Sequence, residues 1–154
     1  MRRYYTKANQ PALLQEVASW IGTPFHDHAG IKGAGVDCVH LALRIYQATG
    51  FLPEGLVFPD YTLDGGHHQT ESKVIAFVEG LGRFAAQSVK PATADWCPGD
   101  LLGFTIGKVV HHVGVAVDNL RFVHVLQSNR VAFSSVLDST WIKRLACKYR
   151  PQQA

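Results

Sequence analysis

A chain of 154 residues is long enough for one domain with a substantial core. With 47% hydrophobic and 18% charged residues it belongs with globular rather than disordered proteins. The formal charge of +3 suits an anionic polymer, but no Lys/Arg run exceeds two residues, so it does not argue for nucleic-acid binding, and no apolar run is long enough to span a membrane.

Residues 1–10 read as a flexible arm. Met1-Arg2-Arg3-Tyr4-Tyr5 is basic, but Lys7, Asn9, Gln10 and Pro11 interrupt any apolar stretch. The expectation is therefore no signal peptide and synthesis in the cytoplasm, so that work outside it needs a carrier. Pro11 to Ile21 has helical spacing, with Leu13, Leu14, Val17 and Ile21 on one face, and Gly22-Thr23-Pro24 ends it. Phe25 to Gly35 is a loop dense in His, Asp and Gly, long enough to be functional.

Gly35 to Leu41 then changes abruptly from loop to helix. Asp37 is a preferred N-cap, and Cys38, Leu41, Ala42, Ile45 and Tyr46 mark one face of a helix from Cys38 to Thr49, closed by Gly50. A thiol at the first helical position feels the positive end of the dipole, which favours the nucleophilic thiolate. The alternative is a buried structural cysteine. Cys38, Cys97 and Cys147 are an odd, widely spaced set that does not suggest a disulfide framework, although a Cys97–Cys147 pair stays open.

Residues 51–66 read as loop, with His67-His68 exposed beyond it. Thr70 is a candidate cap for a third helix with Val74, Phe77, Val78 and Leu81 inward. After Pro91 the period changes from 3.6 to 2. Strands are expected at 101–104, 112–117, 121–126, 131–135 and 144–150, with a short helical connection at 137–142. Helices before strands predict an α+β fold with N-terminal helices packed on a C-terminal antiparallel sheet. In strand 112–117 the valines share the core face, while His112, Gly114 and Ala116 share the other, leaving space beside His112. If Asp118-Asn119-Leu120 is a three-residue turn, His112 and His124 form a diagonal pair on one face. Half-buried structural histidines are the alternative. A cysteine and two histidines supply a nucleophile, a base and a group that orients the base.

Gly35-Val36-Asp37-Cys38, Pro98-Gly99-Asp100-Leu101, His112-Val113-Gly114-Val115 and Phe122-Val123-His124 occur in an order and spacing that resembles the NlpC-type cell-wall peptidases. The likeness runs from about Pro11 to Pro151, which implies a single domain over residues 11–151. It implies a papain-like fold with Cys38 as nucleophile, His112 as general base and acid, and His124 orienting His112. It also implies hydrolysis of murein stem peptides, at the bond between D-glutamate and diaminopimelate, with no metal or cofactor. Phe25, His26, His28, Asp37 and His111 are the expected substrate-contacting residues around this site. Asp37 reads first as a cap, and His111 alternates away from His112. A His26/His28 metal pair is the rival for that loop, with no acid or thiol at ligand spacing to complete it. Phe25 stands where the family often has an aromatic hydroxyl, and His40 where it usually has a small residue; on the helix His40 points about 200° away from the thiol.

Gly22-Thr23-Pro24-Phe25, His28, Lys32-Gly33, Trp141-Ile142-Lys143-Arg144 and Tyr149-Arg150-Pro151 resemble the branch encoded with phage tails and gene transfer agents. This implies a tail or baseplate partner and delivery on a particle, with the arm Met1 to Gln10 as the docking element. Two other readings keep the fold: an antibacterial amidase effector delivered by a secretion system, and a non-catalytic tail-tip module.

Overall fold

The computed structural model describes residues 2–59, 72–89 and 96–154. In chain order the elements are α1 (Gln10–Trp20), β1 (Gly30–Ile31), β2 (Gly35–Val36), α2 (Cys38–Ala48), α3 (Lys73–Gly80), β3 (Phe84–Gln87), β4 (Leu101–Ile106), β5 (Val109–Ala116), β6 (Arg121–His124), β7 (Ala132–Ser135), α4 (Ser139–Arg144) and β8 (Leu145–Pro151). Six strands form one antiparallel sheet in the order β3-β8-β4-β5-β6-β7, and β1 and β2 form a small hairpin just before α2. The α+β layout with N-terminal helices and a C-terminal antiparallel sheet is as expected.

Helix α2 is the centre of the larger core. Val39, Leu41, Ala42, Leu43, Ile45 and Tyr46 are all buried, a wider surface than the single face read from sequence, because the helix is enclosed by α1, α3 and the sheet. From the sheet, Val113, Val115, Val117, Val123 and Val125 meet it. The opposite sheet face carries a separate, aromatic core of Leu102, Phe104, Ala116 and Phe122, covered by Trp96, Val136 and Trp141 of α4.

Several expectations are corrected. Residues 2–10 are not a free arm. Tyr5 is 2% exposed, its ring fills the space left by the missing side chain of Gly99, and its hydroxyl meets Thr49 Oγ1 at 2.6 Å. The Tyr4 amide donates to the Pro151 carbonyl at 2.8 Å, and Arg3 bridges Gln152. Helix α1 buries Leu13, Val17 and Trp20, whereas Leu14 and Ile21 are 44% and 42% exposed. Strand β3, placed beside β8, was not expected. All three cysteines are free thiols. The cap of α3 is Ser72, whose hydroxyl accepts from the Ile75 amide. Thr70, His67-His68 and the loop over 60–66 lie outside the described residues.

The Pro98-Gly99-Asp100 turn is structural. Gly99 has φ +91°, and fully buried Asp100 accepts from the Cys97 amide and from Arg150 Nε and Nη2 at 3.0 and 2.9 Å. This paired hydrogen bonding ties the entry of β4 to the end of β8.

Candidate active site

Asp37 caps α2 as expected and does more. Its Oδ1 accepts from the His40 amide at 2.8 Å and lies 2.9 Å from His40 Nδ1; its Oδ2 accepts from the His28 amide at 2.8 Å. One fully buried carboxylate therefore fixes both the helix start and the preceding loop. It also accounts for His40, whose ring folds back onto the cap. Asp27, His28 and Asp37 bring ligand-type atoms within 4.8 Å of one another. Both Asp37 oxygens already serve main-chain amides, so the cluster is built to hold the loop.

Cys38 begins α2 with its Sγ against the main chain of β5, donating to the His111 carbonyl at 3.9 Å. Burial pushes the thiol up to about 12; main-chain hydrogen bonds from β5 and the helix start oppose this, and the Asp37 carboxylate adds to it. The amides at the helix start favour the anion, as expected, and desolvation opposes them.

The β5–β6 register pairs Val115 with Val123 and Ala116 with Phe122, leaving a three-residue turn at 118–120. His112 and His124 are then diagonal neighbours, and His112 Nε2 meets His124 Nδ1 at 2.8 Å. The space beside them is not open. A side chain at Gly114 would come within 2.7 Å of the Phe122 ring and 3.0 Å of the Val123 carbonyl, so the glycine is what lets Phe122 and His124 close in. Phe104 and Trp141 stack near His112 at 5.8 and 5.2 Å, and Phe122 and Trp141 flank His124 at 4.7 and 4.9 Å. Burial within these rings lowers His112 to about 3, with help from His124, and lowers His124 to about 4 against the Asp138 carboxylate. Both imidazoles are neutral near pH 7.

The histidine pair and the thiol approach β5 from different sides and meet at an irregularity. Phe104 pairs with His112 but Thr105 with Val110, so His111 is an extra residue in the strand. Such a bulge turns side chains away from strict alternation and is common beside active sites. The thiol sits on the carbonyl of that bulge residue. Its hydrogen-bond partners among the described residues do not include the His112 ring; His112 Nε2 is taken by His124, which leaves Nδ1 as the atom for a thiol proton.

A cleft of about 560 Å³ lies between the loop before α2 and the segment joining β6 to β7. Pro24 and Phe25 form one wall; Ser128, Asn129, Arg130 and Ala132 form the other. Phe25 bridges Val36, two residues before Cys38, and Ala132 pairs with His124, so both walls are anchored to site elements. Of the expected substrate contacts, Phe25 lines this cleft. His26 is exposed, with Nδ1 3.1 Å from the Asp27 carbonyl, and His28 is an exposed residue at φ +60°. His111 occupies the bulge, and Asp37 lies beneath the helix start.

Sequence reasoning missed Ser134 and Trp141. His124 Nε2 meets Ser134 Oγ at 2.7 Å, which extends the chain to His112–His124–Ser134. The signal was present as a hydroxyl on the strand after His124, but its register depends on the 125–131 connection, which no pattern specifies.

The NlpC/P60 family profile matches residues 22–150, and the chain belongs to the NlpC/P60 family. Its backbone is similar to a lipoprotein-like NLP/P60 family protein from Staphylococcus aureus (16% identity, TM-score 0.65, covering 97% of this chain and 43% of that one). It is also similar to an NlpC/P60 family protein from Bacillus cereus (18%, 0.64, 97% and 44%). The NlpC/p60 domain of the peptidoglycan hydrolase SagA aligns at 20% identity and TM-score 0.56, covering 91% of this chain and 97% of that domain. The chain thus spans less than half of the first two proteins and nearly all of the third. No curated protein matches the sequence.

Proposed function

We propose that this domain is a cysteine peptidase that hydrolyses murein stem peptides. The observation that carries the reading is the His112–His124 hydrogen bond at 2.8 Å on the strand whose main chain holds the Cys38 thiol. The near-complete alignment with the domain of a peptidoglycan hydrolase supports the substrate class.

The resting site is a neutral thiol beside neutral imidazoles, so the nucleophile forms as substrate binds. His112 Nδ1 takes the proton from Sγ while Sγ bonds to the scissile carbonyl carbon. Main-chain amides at the start of α2, including that of Cys38, face the developing oxyanion. His112 returns the proton to the leaving amine, the C–N bond breaks, and water then hydrolyses the thioester with His112 again as base. Substrate lies in the cleft between Phe25 and Ser128–Arg130. Within this reading the bond cut is that between D-glutamate and diaminopimelate. Delivery on a phage-tail-type particle is part of the same proposal, but docking cannot use Tyr4 and Tyr5, which pack against Phe51 and Tyr46.

Defined muropeptides incubated with the protein and analysed by mass spectrometry test this. A fragment beginning at diaminopimelate, absent with Cys38→Ala, is expected. Intact muropeptides after prolonged incubation, or equal cleavage by Cys38→Ala, would overturn the proposal.

A further inference from the structure

We propose that Ser134 is a positioning residue that sets the tautomers of both histidines, keeping Nδ1 of His112, the nitrogen that His124 does not engage, free of its proton. This rests on the reading of Cys38 as nucleophile and His112 as base. A neutral imidazole carries one N–H and one lone pair. To accept a proton at Nδ1, His112 must hold its own hydrogen on Nε2, which meets His124 Nδ1 at 2.8 Å. That nitrogen must then be a lone pair, which puts the hydrogen of His124 on Nε2. The partner of Nε2 is Ser134 Oγ at 2.7 Å. One direction of donation, from His112 through His124 to Ser134, therefore arms the base.

The opposite direction disarms it. With Ser134 donating to His124 Nε2, the His124 hydrogen moves to Nδ1 and is donated to His112 Nε2. His112 then carries its hydrogen on Nδ1, with no lone pair to offer a thiol. A hydroxyl supports the armed direction because it accepts. Without it, the armed direction leaves the His124 Nε2–H without its acceptor, whereas the disarmed one leaves only a bare lone pair. An orphaned buried donor is the costlier defect, so removing the hydroxyl tilts the pair toward the disarmed form. No extra reactant is needed. The proton lost by Sγ resides on His112 Nδ1 until the amine leaves, and the Nε2 hydrogen stays shared with His124 throughout.

Ser134 lies on β7, where Thr fits the strand and keeps the hydroxyl. Nitrogen-15 NMR of the histidine rings in the whole protein should show Nε2 protonated and Nδ1 bare on both rings in wild type and in Ser134→Thr. In Ser134→Ala the signals should move toward Nδ1–H. Alkylation of Cys38 by iodoacetamide at pH 7 should slow on the order of 10–100-fold in Ser134→Ala, the range expected for one orphaned donor, and recover in Ser134→Thr. Wild-type ring signals and rates in Ser134→Ala would overturn the proposal, as would equal impairment of the Thr variant, which would mean packing and not the hydroxyl matters. Neither readout uses murein, so a wild-type protein that cleaves no muropeptide would sink the proposed substrate while these measurements still decide the role of Ser134.

Discussion

The two faces of the β4–β5–β6 sheet solve different problems. The face that receives α2 is aliphatic, with Val113, Val115, Val117, Val123 and Val125 against a helix that buries most of its circumference. The other face is aromatic and holds two histidines under Trp141. The first face needs only volume and apolarity, and it positions Cys38 by packing the helix behind it. The second must hold two polar rings in one orientation while removing them from water, which takes flat walls and directed hydrogen bonds. Stability should therefore depend chiefly on the first face, and activity and pH response on the second.

The largest effect expected is on the histidine face. His112→Ala should lower muropeptide turnover by on the order of 10³-fold or more while the protein stays folded. His111→Ala should cost far less, since its position is the bulge and its carbonyl, not its ring, meets the thiol. A deader His111 variant would show that the bulge presents the other ring to Cys38.

Trp141→Ala should lower both quantities. Loss of a 7%-exposed indole costs roughly 3–5 kcal/mol in thermal or urea unfolding, and freeing the histidine rings should reduce kcat beyond what instability explains. Full kcat at a temperature where the variant is folded would mean the rings do not depend on their cover. The matching change on the other face is Val115→Ala. It should cost about 2 kcal/mol in urea unfolding and leave kcat nearly unaltered. If its kcat falls as far as that of Trp141→Ala, the division between the faces is wrong.

Acid should act through the histidine face as well. His112 and His124 sit below their ordinary 6.5 when folded. Their contribution to stability is present above 6.5 and is lost as pH falls toward 4, because the unfolded chain binds protons that the native site refuses. Each adds up to about 1.4 kcal/mol per pH unit in that window. Urea unfolding of wild type across pH 7 to 4 should show this slope, and His112→Gln should flatten it. A slope unchanged in that variant would place the acid sensitivity elsewhere.

The smallest effect concerns the cap of α2. Asp37→Ala should lose roughly 1–2 kcal/mol by thermal melting, and Asp37→Asn should lose less, since its amide oxygen still accepts from the His40 amide while its NH2 faces the His28 amide that Oδ2 now serves. Equal losses would show that a single remaining acceptor does not sustain the cap.

Much of this was legible along the chain. The Asp37-Cys38 helix start, the valine alternation in β5 and the three-residue turn that puts His112 beside His124 are local patterns, each set by residues within one or two turns of one another. The docked N-terminus was not legible, because Tyr5 is held by Gly99 and Thr49, far away in sequence. Nor was β3, a short edge strand that exists through its pairing with β8.

The sequence by itself therefore determined the layout of helices before sheet and the cysteine and histidine candidates, since these rest on backbone propensity and short-range period, while the family was legible as a resemblance in the order and spacing of its motifs. Tertiary structure decided their chemical state and their company. Burial is a property of what packs around a group: the helix dipole favours a thiolate at Cys38, and enclosure against β5 pushes the thiol up. Long-range register likewise brought Ser134 to His124 and Trp141 over both rings, contacts that no local pattern encodes.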